Sequence, residues 1–218
     1  MKIAASLICA NPLDLNSDLK ELESSNVEFI HFDVMDGNFV PRYGLYPEIL
    51  SNLKQKFNLT VDVHMMVDNP EDYISTYKSA GADFYNFHIE STKHSHRILY
   101  KVKNSGMKAG IALNPGTPLS SIEPIINDID MVVLMAINPG IVGHKFIPST
   151  LERIKELRNL SIKNNPDLQI QIDGGVTPST GPEMVKAGAD ILVCGNGTIF
   201  RRHEDTISNK INSFRKLF

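Results

Sequence analysis

The chain has 218 residues, with 22 Lys and Arg against 25 Asp and Glu and a net charge of −3. This balance lacks the basic excess of a general nucleic-acid binder, and no apolar stretch is long enough to span a membrane. Cys9 and Cys194 cannot build a disulfide framework in a chain of this length, and the N-terminus lacks the features of a signal peptide. We therefore expect a cytoplasmic protein with one domain over residues 1–218, whose partners include neither nucleic acid nor membrane.

Short apolar runs rich in Val, Ile and Phe recur at a fairly even pitch, as strands buried on both faces do. The eight runs are Ile3–Cys9, Phe29–Val34, Thr60–Met66, Phe84–Ile89, Lys108–Leu113, Met131–Ile137, Gln169–Ile172 and Ile191–Cys194.

Between these runs, apolar residues three and four apart indicate helices, for example from Leu15 to Leu22 and from Leu151 to Leu157. Ala-Gly-Ala-Asp occurs at 80–83 and again at 187–190, where glycine would end a helix before the next strand. Repeated strand–helix alternation predicts an α/β fold, a single-domain (β/α)8 or TIM barrel. The alternative is a doubly wound open sheet, but the glycine motif that often opens one is absent after the first strand.

Two histidines and two aspartates fall at the ends of predicted strands. His31 and Asp33 are two residues apart, so they project from the same face of the second strand. His64 ends the third strand and Asp173 the seventh, and the strand ends of a barrel meet at one mouth. We expect these four residues to bind one divalent metal, Zn²⁺, Fe²⁺, Mn²⁺ or Co²⁺, because imidazole and carboxylate ligands suit these ions.

Other histidines and the methionines give weaker signals. His88 is expected near the mouth, close to Glu90, either behind the site or as an ordinary core residue. His94 and His96 begin a predicted helix, and His203 is expected on the surface. Three methionines are predicted to be core filler, with a lining of the mouth as the alternative; they are Met35, Met66 and Met135.

Glycine-rich turns follow the last three strands, at residues 138–143, 173–175 and 195–197. Glycine lets backbone N–H groups approach an anion, and phosphate sites in such barrels commonly follow strands seven and eight. The alternative is that these are simply tight turns. A metal beside a phosphate site predicts a small phosphorylated substrate whose carbonyl the metal polarises, stabilising an enediolate. Two Asp groups could exchange a proton on opposite faces of it, which is epimerisation next to a carbonyl.

At this point the sequence resembles the ribulose-phosphate 3-epimerase family, from Ile3 to about Phe200. The matching stretches include His31-Phe32-Asp33-Val34-Met35-Asp36-Gly37, Asp62-Val63-His64-Met65-Met66, Leu134-Met135-Ala136-Ile137-Asn138-Pro139-Gly140 and Asp173-Gly174-Gly175-Val176. The resemblance implies a ribulose-phosphate-binding type of barrel that interconverts ribulose 5-phosphate and xylulose 5-phosphate, with Asp33 and Asp173 as the acid/bases. It also implies contacts of the phosphorylated ketose with Ser6, His64, Gly140, Ile141, Val142, Gly143, Gly174, Gly175, Gly195 and Asn196. The family often forms homo-oligomers.

The loops depart from the family pattern. The family usually has Pro at the position of Ala5. At residues 42–46 it usually has Asn, an apolar residue, Thr, Phe and Gly in that order. At residues 140–144 it usually reads Gly-Phe-Gly-Gly-Gln. These changes leave the metal and acid/base positions intact, so we expect the chemistry to be kept. Arg42 could supply a charge to a different ketose phosphate, such as allulose 6-phosphate.

Two other classes of function are weaker alternatives. A carbon–carbon lyase or decarboxylase on a related barrel would carry an Asp-x-Lys-x-x-Asp motif, but His64 stands in the Lys position. A non-enzymatic binding protein should have lost a ligand or an acid/base, and none is missing.

Overall fold

The computed structural model describes residues 1–140, 145–200 and 205–218. The strands in these residues are β1 Lys2–Ser6, β2 Phe29–Met35, β3 Val61–Met66, β4 Phe84–His88, β5 Lys108–Leu113, β6 Met131–Met135, β7 Gln169–Asp173 and β8 Ile191–Cys194. Each strand pairs in parallel with its neighbours in chain order, and β1 also pairs with β8. The sheet is therefore a closed barrel, so the predicted (β/α)8 class is confirmed and the open sheet is excluded.

The predicted strand bounds are right to within three residues. The largest error is in the first run, where the strand ends at Ser6 and Leu7–Cys9 form a 3-10 turn. Leu7 is buried, and apolar character alone does not separate a strand from a buried turn that follows it.

Helices cover the outside of the barrel after most strands. Their bounds are α1 Leu15–Ser24, α2 Pro47–Lys56, α3 Ile74–Ala80, α4 Ser95–Asn104, α5 Thr150–Asn164, α6 Gly181–Ala187 and α7 Ile207–Arg215. The strict alternation expected from the sequence fails between β5 and β6, where two 3-10 segments, Leu119–Ser121 and Glu123–Asp128, replace an α-helix. Pro118 and Pro124 lie in this connection, and proline removes a helical hydrogen bond and clashes with the preceding turn.

The barrel interior has an apolar cluster and, on some strands, polar residues toward the mouth. Phe29 and Phe84 meet edge to face inside the barrel with ring centroids 5.6 Å apart. On β2 and β4 the residues that follow at intervals of two are polar: His31 and Asp33 after Phe29, and Asn86 and His88 after Phe84. Side chains at the alternate strand positions, such as Phe32 and Val34, pack in the larger core between the sheet and the helices. Both cysteines are free thiols, as predicted.

A fourfold pattern of carboxylates secures the base of the barrel. The residue before each even-numbered strand accepts a hydrogen bond from a backbone N–H near the start of the preceding odd-numbered strand. These pairs are Glu28 with Ile3, Asp83 with Val61, Asp130 with Ala109 and Asp190 with Ile170, at 2.7–2.8 Å. Each carboxylate also faces a cation, respectively Arg215, Lys54, Lys103 and Arg158. The repeated Ala-Gly-Ala-Asp phrase marks two of these four joints, and Gly81 and Gly188 do end α3 and α6 there.

Replacing Gly110 with alanine is expected to destabilise the barrel. Gly110 of β5 pairs with Asn86 of β4, and a Cβ there would overlap Asn86 Oδ1 and lie 2.9 Å from the carbonyl oxygen of Met131. Overpacking of this kind lowers the free energy of unfolding by about 1–3 kcal/mol. Gly116→Ala is the matched control, because a Cβ at Gly116 meets no atom within 4 Å. Equal midpoints for the two variants in urea unfolding would contradict the prediction.

Candidate active site

Four side chains from three strands meet at the bottom of the barrel mouth. Asp33 of β2 lies beside His64 of β3 in the strand register, His31 precedes Asp33 by two residues, and Asp173 ends β7. His31 Nε2 lies 3.1 Å from His64 Nδ1, 3.4 Å from Asp33 Oδ1 and 3.7 Å from Asp173 Oδ2. His64 Nδ1 lies 3.5 Å from each of these carboxylate oxygens. The structure thus brings together the four residues that the sequence predicts as metal ligands.

The spacing of these donor atoms suits one divalent cation. A metal that binds nitrogen and oxygen at about 2.1 Å holds tetrahedral ligands about 3.4 Å apart. The five separations above run from 3.1 to 3.7 Å, and all four donor atoms lie within 4.8 Å of one another. Two imidazoles and two carboxylates are the donor set that Zn²⁺, Fe²⁺, Mn²⁺ and Co²⁺ accept. The two histidines and two aspartates therefore fit the predicted divalent metal ion.

The electrostatics of the cluster also favour a positive charge at its centre. Burial alone would lower the pKa of His31, but the carboxylates of Asp62 and Asp33 raise this pKa well above its ordinary value. Burial alone would raise the pKa of Asp33, but His31 and His64 hold this pKa well below its ordinary range. Two buried carboxylates around two imidazoles leave excess negative charge, which a bound cation neutralises.

Asp62 and Gln171 hold His31 from behind, and the sequence analysis assigned neither of them a role. Asp62 is fully buried, and its Oδ2 lies 2.7 Å from His31 Nδ1 and 2.9 Å from Gln171 Nε2. The Asp62 oxygen accepts hydrogen bonds from Nδ1–H of His31 and from the side-chain amide of Gln171, so His31 turns its other ring nitrogen, Nε2, to the site. The sequence did contain a signal for the role of Asp62, because this residue precedes His64 by two positions and therefore shares its face of β3.

His88 lies behind His64 in the same way. Its Nδ1 lies 3.1 Å from Glu90 Oε2, as the expected proximity to Glu90 suggested, and its Nε2 lies 2.9 Å from His64 Nε2. His88 is not among the four residues whose donor atoms converge, and it packs against one of them, His64. His94 precedes α4 without capping it through its side chain, and exposed His96 lies 3.6 Å from Asp128. His203 lies outside the described residues.

A cavity of about 380 Å³ opens above the cluster. Asp33 and Asp173 both line it, and Ser6 Oγ, also in its wall, donates to Asp33 Oδ2 at 3.0 Å. Five of the predicted substrate contacts form one side of the wall: Gly140, Gly174, Gly175, Gly195 and Asn196. Three more, Ile141, Val142 and Gly143, lie outside the residues that the structure describes, as does His144. The remaining one, His64, is fully buried and is not part of the cavity wall.

Two of these glycines are required by the backbone itself. Gly140 has φ +78° and Gly174 has φ +98°, a region that side chains with a Cβ rarely adopt. A Cβ at Gly140 would also overlap the side chain of Val40, and one at Gly174 the side chain of Ile137. The loops can therefore pack against Val40 and Ile137 because these positions carry no side chain.

The three methionines line the cavity, as the alternative predicted, and Met66 and Met135 are also core residues, as the first prediction has it. Met66 and Met135 are almost fully buried and still present an edge to the cavity, while Met35 is more open. They give an apolar wall beside the four clustered His and Asp residues, because Met35 pairs with Met66 in the register and Met135 pairs with Asp173. Arg42 also lines the cavity, and its side chain forms no hydrogen bond or ion pair with the part of the chain that the structure describes.

The match to known proteins covers nearly the whole chain. The model of the ribulose-phosphate 3 epimerase family matches residues 2–200. The chain belongs to the ribulose-phosphate 3-epimerase family. It is 41% identical over 197 residues to the ribulose-phosphate 3-epimerase of Bacillus subtilis, covering 90% of this chain and 91% of that one. It is 37% identical over 211 residues to the enzyme of the same name from Aquifex aeolicus, covering 97% and 95%.

A solved structure of lower identity shares the fold. The 3-hexulose-6-phosphate synthase of Salmonella typhimurium superposes with a TM-score of 0.73 at 15% identity, covering 100% of this chain and 98% of that one. The family membership makes the protein an enzyme, an isomerase of the epimerase class that acts on carbohydrate phosphates. No helix in the described ranges is long and apolar enough to cross a membrane.

Proposed function

We propose that this protein catalyses metal-dependent epimerisation at C3 of a ketose phosphate, with D-ribulose 5-phosphate and D-xylulose 5-phosphate as the pair interconverted. The observation that carries the proposal is the convergence of two histidines and two aspartates below a cavity that both aspartates line. The family relationship supports the same reaction, because the related enzymes from two bacteria carry that name.

The ligands we propose are His31, Asp33, His64 and Asp173. A divalent cation held there supplies charge stabilisation to the oxygens of the deprotonated ketose. Inversion at a carbon next to a carbonyl needs a base on one face of that carbon and an acid on the other. Asp33 comes from β2 and Asp173 from β7, so the two carboxylates reach the cavity from different strands. One removes the C3 proton and the other returns a proton to the opposite face.

Ser6 and the glycine loops hold the substrate in this proposal. The hydroxyl of Ser6 donates to Asp33 and orients that carboxylate, and Ser6 itself lines the cavity. The phosphate lies against the wall formed by residues 174–175 and 195–196, where glycines let backbone N–H groups approach an anion. The methionine wall keeps water away from the carbon that is deprotonated.

Removal of the metal is expected to abolish the reaction reversibly. Protein loaded with Zn²⁺, Fe²⁺, Mn²⁺ or Co²⁺ should convert ribulose 5-phosphate to xylulose 5-phosphate and exchange the C3 proton with deuterated solvent. A chelator should stop both processes, and added metal should restore them. Conversion that continues at the same rate in protein shown to be metal-free would refute the metal requirement. Absence of conversion in metal-loaded protein would refute this substrate.

A second substrate is favoured by one observation, the position of Arg42. This half-buried cation lines the cavity, and the family pattern has no charge in that loop. We propose as the alternative the same chemistry on another ketose phosphate, such as allulose 6-phosphate. Ranking the two substrates by kcat/KM on one preparation decides between them. We also infer from the family relationship that residues 1–218 form one catalytic domain and that the enzyme works in the cytoplasm as a homo-oligomer.

A further inference from the structure

Glu90 is held as a hydrogen-bond acceptor by three donors. Its Oε1 accepts from the backbone N–H of Asn114 at 2.9 Å and from the hydroxyl of Thr117, and its Oε2 faces His88 Nδ1 at 3.1 Å. Burial alone would raise the pKa of Glu90, but the hydrogen bonds from His88 and Thr117 lower it to about 2. The carboxylate is therefore ionised and can only accept, so Nδ1 of His88 must carry a proton.

The loop that supplies two of these donors is itself anchored. The guanidinium of Arg153 on α5 donates to the carbonyl oxygens of Asn114, Pro115 and Thr117 at 2.6–3.1 Å. This fixes the connection after β5 against α5. The donors to Glu90 are thus part of a built structure and not of a freely moving turn.

The second ring nitrogen of His88 faces His64. The His88 side chain has no exposed surface and lies between the ring of Phe39, 4.8 Å away, and the stacked ring of His64, 5.0 Å away. With its one proton on Nδ1, His88 presents a lone pair at Nε2, which faces His64 Nε2 at 2.9 Å.

The proton between the two rings therefore belongs to His64. If His64 Nε2–H donates to His88, then Nδ1 of His64 carries a lone pair. That Nδ1 is the atom 3.1 Å from His31 Nε2 and 3.5 Å from the oxygens of Asp33 and Asp173. The opposite arrangement would need either a second proton on His88, a ring with no exposed surface, or a proton on Glu90, which already accepts hydrogen bonds from Asn114 and Thr117.

We propose that Glu90 is a positioning residue which acts through His88 to select the His64 tautomer whose Nδ1 binds a divalent cation. The inference rests on the metal site of the proposed function. The site then has two outer carboxylates with different tasks. Asp62 orients His31 by direct contact, and Glu90 fixes the tautomer of His64 through one intervening ring. Partners of this kind typically change metal affinity 10–100-fold.

The first test measures metal affinity in Glu90→Gln. A glutamine can donate as well as accept, so it no longer forces the proton onto Nδ1 of His88. We expect its dissociation constant for Zn²⁺, measured by competition with a chelating dye, to rise about 10–100-fold. Glu71→Gln is the matched control, because Glu71 lines the same shallow groove as Glu90 and pairs only with Arg97 and Lys101 in the described ranges. Equal Zn²⁺ affinities for Glu90→Gln and the parent protein would overturn the proposal.

The second test does not depend on a variant. Long-range ¹H–¹⁵N spectra of the imidazoles in the parent protein should give His88 as the Nδ1–H tautomer and His64 as the Nε2–H tautomer. A proton on Nε2 of His88 would overturn the proposal even if the variant fails to fold. Failure of the metal site is distinguishable, because a parent protein that binds no Zn²⁺ refutes that site, while the spectra still decide the tautomers.

Discussion

Replacing Asp173 with asparagine is expected to lower kcat for C3 epimerisation by roughly 10²–10⁴-fold while leaving the fold intact. The side chain is 16% exposed, lines the cavity and lies at the end of β7, so its shape can be kept by an amide. The amide cannot accept a proton at neutral pH, and it is a weaker metal ligand than a carboxylate. The measurement is kcat at saturating Zn²⁺, which separates loss of proton transfer from loss of metal.

The control for this variant is Asp167→Asn, which removes the same charge from an exposed position outside the cavity. Its turnover should match that of the parent protein. Thermal unfolding of both variants checks that the barrel persists. Turnover of Asp173→Asn near the parent value would refute the role assigned to this carboxylate.

Replacing Asp62 with alanine is expected to cost about 3–5 kcal/mol of the free energy of unfolding, because one partner of a buried ionic pair is removed. Asp62 has no exposed surface, and its loss leaves the N–H groups of His31 and Gln171 without their acceptor. Urea unfolding of metal-free protein measures the change without the contribution of bound metal.

Asp167→Ala is the matched control, and its midpoint in urea should stay at the parent value because the residue is exposed. Asp62→Asn keeps the size of the side chain and one acceptor, so its loss should be smaller than that of Asp62→Ala. A stability for Asp62→Ala equal to that of the Asp167 control would show that the His31 contact contributes nothing to folding.

The four predicted metal ligands show how much of a site can be predicted from residue spacing and fold class. His31 and Asp33 are two residues apart on one strand, and the alternation of side chains between the faces of a strand is a property of the backbone alone. Placing His64 and Asp173 beside them needed only the rule that parallel strands in a barrel end at one mouth. These two rules are local or depend on fold class, so the sequence sufficed for them.

These two rules could not predict the residues that support the metal ligands from behind, Asp62 and Gln171. Asp62 shares its face of β3 with His64, but its contact with His31 depends on the register between β2 and β3, where His31 pairs with Asp62. The contact of Gln171 with Asp62 joins residues 109 positions apart across the interior of the barrel. Closure of the sheet decides such contacts, and no periodicity in the chain encodes which interior side chains will face each other.

The sequence by itself therefore determined the barrel, the four residues at the bottom of its mouth and the family. Each of these follows from strand periodicity, from the convergence of strand ends, or from motifs within a few residues of one another. Only the tertiary structure decided that the connection between β5 and β6 lacks an α-helix, that the methionines face the cavity, and that Asp62 and His88 support the two histidines. Those outcomes depend on register and packing between distant segments, where the geometry of the closed sheet and not the preference of any single residue sets the result.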